Sequence, residues 1–136
     1  MEPAGINYLA ILVSAVAYMV IGAIWYSPVL FGNAWLKGIG KTKEEVAAQS
    51  AAWKYVWALI MAFIAAYGIA RIMLWTGGNS ITDGLIIAIL AGVCFILTAF
   101  TVNDNFEGRS MGLSFINVFF HIVSLAVIGI IIGAWR

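Results

Sequence analysis

Apolar positions in this chain come in long unbroken runs rather than at the period of an amphipathic helix or strand. Four stretches, Ile6 to Trp25, Tyr55 to Trp75, Gly84 to Val102 and Leu113 to Trp135, approach or exceed the ~20 apolar residues that a helix needs to cross a bilayer. The first two and the last contain no acidic residue. Arg71 is the one basic side chain within a span, and it lies near an end, where its stem can carry the charge to the interface. Trp25, Trp53, Trp57, Trp75 and Trp135 stand at or near span ends, as in an aromatic belt. The pattern predicts an all-α, polytopic membrane protein. It is a four-transmembrane-helix bundle, one domain over residues 1–136, with a short interfacial segment between the first and second spans.

Punctuation sharpens the boundaries. Pro28 lacks an N–H and disfavours helix at Ser27, so the first span ends or kinks there, and Ser27 can bond a freed carbonyl. Leu30, Phe31, Trp35, Leu36 and Ile39, interrupted by glycines, suit a segment lying in the interface, with Lys37 toward anionic headgroups. Thr42 and Glu45 read as a capping box. No strong breaker follows until Trp75, which predicts one helix of about 50 Å from Lys43, projecting roughly three turns beyond the ~30 Å hydrocarbon core. Gly77-Gly78 predicts a tight turn, Ser80 and Asp83 a cap for the third span, Asn103 to Arg109 a loop, and Ser110 a cap for the fourth.

Composition agrees with lipid as the solvent: 64% of the 136 residues are hydrophobic and 10% charged, against about a quarter charged in soluble domains. A net charge of +1 suggests no nucleic-acid partner. Cys94 is the one cysteine and reads as a small buried apolar residue. The first apolar run has no preceding Lys or Arg and continues to Trp25, which argues against a cleaved signal peptide. Lys37, Lys41, Lys43, Lys54 and Arg109 fall on the side of the two connecting loops, 26–52 and 103–112, against Arg71 and Arg136 on the other. The positive-inside bias therefore predicts cytoplasmic loops and both termini outside, in a cell membrane.

Small residues recur every fourth position: Ala58, Ala62, Ala66 and Ala70; Gly84, Ala88 and Gly92; Gly129 and Gly133. Such stripes let helices approach closely. They fit packing within one bundle, or, for Gly129 and Gly133, the face of a homo-oligomer.

Polar side chains inside spans are costly and are where function is first sought. Ser114, Asn117, His121 and Ser124 share one helix face, with His121 about 12 Å deep by helical rise. The face could bind a polar group or line a proton or solute path, or it could simply bond to another span. Asn7, Ser14 and Tyr18 share a face of the first span. Asp104, Glu107 and Arg109 gather at the second loop, either as acid–base or cation-binding groups or as a self-neutralised turn. Nothing in the sequence has the spacing of a nucleophile motif, a phosphate-binding loop or a metal site, and no cofactor is implied.

Two blocks, GAIWYSPVLFGNAWLKGIG and FEGRSMGLSFINVFFHIVSLAVIGIIIGAW, resemble the DUF1761 family of small, mostly bacterial membrane proteins. The resemblance covers nearly the whole chain. It implies four spans in a bacterial inner membrane and marks as family-typical Trp25, Tyr26, Ser27, Pro28, Phe31, Gly32 and Trp35, then Glu107, Arg109, Ser110, Asn117 and His121. It implies no chemistry. Two candidate sites follow: an intramembrane one of Ser114, Asn117, His121 and Ser124, and an interfacial one of Trp25, Tyr26, Ser27, Pro28, Trp35, Asp104, Glu107 and Arg109. The expected role is a small oligomeric binding or helper protein that docks lipid or a larger membrane complex. A small channel or transporter around Asn117 and His121 is the alternative. An intramembrane enzyme pairing His121 with Asp104 or Glu107 is third.

Overall fold

In a computed structural model, residues 5–135 are described, and among them every regular element is a helix. The elements are α1 (Tyr8–Trp25), α2 (Gly32–Ile39), α3 (Lys43–Ala48), α4 (Ala52–Thr76), α5 (Ile81–Ala91), a π-helical stretch (Gly92–Leu97), α6 (Thr98–Phe106) and α7 (Met111–Ala134). Four helical runs are long and apolar enough to cross a membrane: α1, α4, the continuous run Ile81–Phe106, and α7. Arg136, counted above in the charge bias, lies outside the described residues.

The ends are set by local chemistry. Asn7 caps α1 by accepting from the Ala10 amide, and Ser110 caps α7 by accepting from Leu113. Ser80 and Asp83 form a reciprocal capping box on α5. At α2, α4 and α6 the chain leaves through a left-handed glycine: Gly40, Gly77 and Gly108. In each, the next amide reaches back five residues to a helix carbonyl: Lys41 to Leu36, Gly78 to Met73, Arg109 to Asp104. This closes the orphan carbonyls of the last turn.

The bundle is centred on α7, which packs against α5 on one flank and α1 on the other, with α4 behind. Small-residue seams explain the closeness. A Cβ on Gly84 would lie 2.8 Å from the Gly129 carbonyl carbon, and one on Gly133 would lie 2.8 Å from Ile81 Cα. Gly129 and Gly133 are therefore occupied by α5 of the same chain. Of the two roles open to this pair, the structure shows the intrachain one, with backbone of α5 and its cap packed against both glycines.

The core cluster contains Ile11, Ala66, Ile69, Met73, Ala88, Leu125, Ile128 and Ile132. All lie in the half of the bundle that carries the termini, where Asn7 Nδ2 donates to the Trp135 carbonyl at 3.3 Å. The other half is looser: from Ala52 to Ile60 every α4 residue except Ala58 is exposed.

Three expectations are corrected. The 50 Å helix from Lys43 is broken at Gln49–Ala51, where Ala51 is extended (φ −144°, ψ 143°). The break is held by lysines: Lys54 Nζ donates to the Gln49 carbonyl and Lys41 Nζ to its side-chain oxygen. The loop expected over Asn103 to Arg109 is helical as far as Phe106, with a turn only around Gly108. Cys94, expected buried, is exposed on the outer side of the π-helical stretch.

Candidate functional site

The turn after α1 folds back tightly. Phe31 N–H donates to the Trp25 carbonyl and Gly32 N–H to that of Ser27. A Cβ on Gly32 would sit 2.6 Å from the Ser27 carbonyl carbon, so only glycine lets α2 start against the end of α1. Ser27 Oγ donates to the Ile24 carbonyl at 2.6 Å, and Pro28 is exposed on the turn. α2 is thereby laid on α7, with Gly38 against Leu113.

This fold-back gathers the aromatic side chains. Trp25 Nε1 donates to the Ile116 carbonyl at 3.0 Å, and its ring lies 4.6 Å from that of Phe31. The Tyr26 hydroxyl donates to Asn117 Oδ1 at 2.7 Å, with Trp35 and Phe120 edge-on to its ring. Burial pushes the Tyr26 hydroxyl well above the ordinary phenol range, so it stays protonated and remains a donor. One turn deeper, the Tyr18 hydroxyl is 3.4 Å from His121 Nδ1, and Phe100 and Phe120 flank the imidazole.

Asp104 is buried and accepts a 2.7 Å bond from Ser114 Oγ. Arg109 Nε lies 3.1 Å from Glu107 and 3.8 Å from Asp104. The stripe on α7 is thus divided among partners: Ser114 to α6, Asn117 to the end of α1, His121 to the middle of α1. Ser124 is fully buried without a hydrogen-bond partner among the described residues. The structure brings the aromatic block after the first span onto Asn117. It ties Asp104 to Ser114 rather than to His121, which lies two helical turns, about 10 Å, further along α7. Among the described residues no three His, Cys, Asp or Glu side chains could hold a metal ion.

A cavity of about 240 Å³ lies beside this cluster, lined by Trp25, Phe31, Phe115, Ile116, Phe119 and Val123, with Gly112 at one end. Its lining is almost wholly apolar. Phe115, Phe119 and Val123 carry no functional signal in the sequence. Their spacing of four marks one face of α7, but an apolar face on an apolar helix does not stand out.

Comparison with known proteins adds one match. Residues 9–133 fit the model of the family described as protein of unknown function (DUF1761). The chain belongs to that family. No curated protein and no solved structure matches it. In this DUF1761 member the segment after the first span meets α7 through the contacts of Trp25 and Tyr26 with Ile116 and Asn117.

Proposed function

We propose that this DUF1761 protein is a small integral membrane protein, with its loops toward the cytoplasm, that binds lipid without catalysis. An acyl chain would lie in the groove between the α1–α2 turn and the outer face of α7. The observation that carries this reading is a contrast. Three of the four polar side chains of α7 are engaged in interhelical bonds, whereas the cavity beside them is open and apolar.

Its volume of about 240 Å³ is smaller than the ~300–1,000 Å³ of pockets that enclose a drug-sized ligand, so it suits part of a chain rather than a whole molecule. An acyl chain leaving bulk lipid gains no hydrophobic energy, so selection would rest on van der Waals fit to the rings of Trp25, Phe31 and Phe119.

A Cβ on Gly112 meets nothing within 4 Å, so Gly112→Leu fills one end of the groove without straining the helix. Native mass spectrometry from mild detergent tests the reading. Wild type should keep one lipid per chain, and Gly112→Leu should lose it. Wild type free of lipid, or equal retention by both, would count against lipid binding. A conduit along Asn117, His121 and Ser124 is the second reading, motivated by their shared face. Proteoliposome flux of protons, ions and small solutes no greater than that of empty vesicles would remove it.

A further inference from the structure

Two hydroxyls in the middle of the bundle stand apart from the others. Ser14 on α1 and Ser124 on α7 are both 0% exposed, and neither has a hydrogen-bond partner among the described residues. Thr76, Thr98 and Thr101 donate to carbonyls one turn back, and Ser114 donates to Asp104. A buried hydroxyl with no partner bears the full cost of its lost hydration.

The register of α1 on α7 brings the two serines to within about one turn of each other along the seam. α1 and α7 run antiparallel, fixed by Tyr18 opposite His121 and by Asn7 opposite Trp135. Between these ties, Ser14 falls opposite a position about one turn or less from Ser124. Ser14 is one turn from Tyr18 on α1, and Ser124 one turn from His121 on α7, so both follow the faces that already meet in the Tyr18–His121 pair.

We propose that Ser14 and Ser124 share one buried water in the α1–α7 seam. A buried water needs two to four polar partners. The two hydroxyls supply two, and the helix carbonyls one turn back, each with a second lone pair, can supply the rest. An ion is disfavoured: the surroundings are Ile11, Ala15, Leu125 and Ile128, with no acid to balance charge.

The water is the last rung of a polar column that begins at Asp104–Ser114 and continues through Tyr26–Asn117 and Tyr18–His121. From Ser114 to Ser124 the column spans about 15 Å, half of a ~30 Å hydrocarbon core. Beyond it stand Ile11, Ile128, Ile132 and Met73. The column therefore ends in apolar packing.

A double-mutant cycle with Ser14→Ala and Ser124→Ala, read by reversible unfolding in mixed micelles, tests the sharing. Each single change should raise the unfolding equilibrium constant about tenfold, and the double change should raise it little more than one does. Independent, multiplying effects, or single variants as stable as wild type, would overturn it. Water-edited solid-state NMR of the unmodified protein in bilayers provides a second readout that needs no variant to fold. Magnetisation should pass from bound water to the Cβ of both serines. Coupling in the cycle without that transfer means a direct serine–serine bond and also overturns the proposal.

Discussion

The Gly84–Gly129 crossing offers the sharpest test of the packing. An alanine at Gly84 would place its Cβ 2.8 Å from the Gly129 carbonyl carbon and 3.2 Å from its Cα, whereas ordinary contact begins at 3.4 Å. Both neighbours are backbone, so no side chain can swing away and the helices must separate by more than half an ångström. Overpacking of this kind costs about 1–3 kcal/mol, and rigid atoms on both sides place it at the upper end. Alanine's better helix propensity returns up to ~1 kcal/mol. The net loss should be about 2 kcal/mol. Gly68, within α4, is the control, because a Cβ there meets nothing within 4 Å, so Gly68→Ala should be neutral or up to ~1 kcal/mol stabilising. The two variants should therefore differ by about 2–3 kcal/mol, roughly 30- to 150-fold in the unfolding equilibrium. Helicity followed by circular dichroism against the mole fraction of SDS measures the gap. Equal midpoints, or Gly84→Ala the more stable, would refute the backbone-to-backbone seam.

Three other outcomes follow from the same geometry. Asn117→Ala should cost about 1–3 kcal/mol by stranding the Tyr26 hydroxyl, and adding Tyr26→Phe should recover part of it, measured by the same unfolding assay. Because the Tyr26 pKa is raised above 10.0 on folding, the protonated donor is present in both states below that value; the loss should be flat from about pH 5 to 9 and change only as pH rises past the unfolded value. Gly32→Ala should cost about 1–3 kcal/mol and loosen α2, seen as faster proteolysis between Ser27 and Lys41, since its Cβ would meet the Ser27 carbonyl. In a Cys94→Ala background, Lys41→Cys and Asn105→Cys should both react with an impermeant thiol reagent only from the cytoplasmic side; labelling of either in intact cells would reverse the proposed orientation.

How much was legible in the sequence depended on how local the cause was. The caps at Ser80 and Ser110 and the turn at Gly77 could be read because each acts within one turn. The break at Gln49–Ala51 could not, since it contains neither Pro nor Gly and is stabilised by lysines five and eight residues away. The π-helical stretch Gly92–Leu97 opens on a glycine, but nothing local marks a π turn; it sits where Gly92 packs against Ile122. Gly129 and Gly133 announced a close approach but not its partner, because a small-residue stripe serves a neighbouring span and a second copy equally well. The shared face of Asn117 and His121 followed from spacing alone. Their partners Tyr26 and Tyr18 lie about 90 and 100 residues away, and only the antiparallel register of α1 on α7 brings them together.

Lipid binding beside α7 is the central claim, and photo-cross-linking tests it most directly. Phospholipids carrying a diazirine in the acyl chain would be irradiated with the protein in bilayers and the modified residues mapped by mass spectrometry. Label should concentrate on Phe31, Phe115, Phe119 and Val123 and be lost from them in Gly112→Leu. Label spread evenly over the exposed residues of α4 and α5, with no change in that variant, would contradict it.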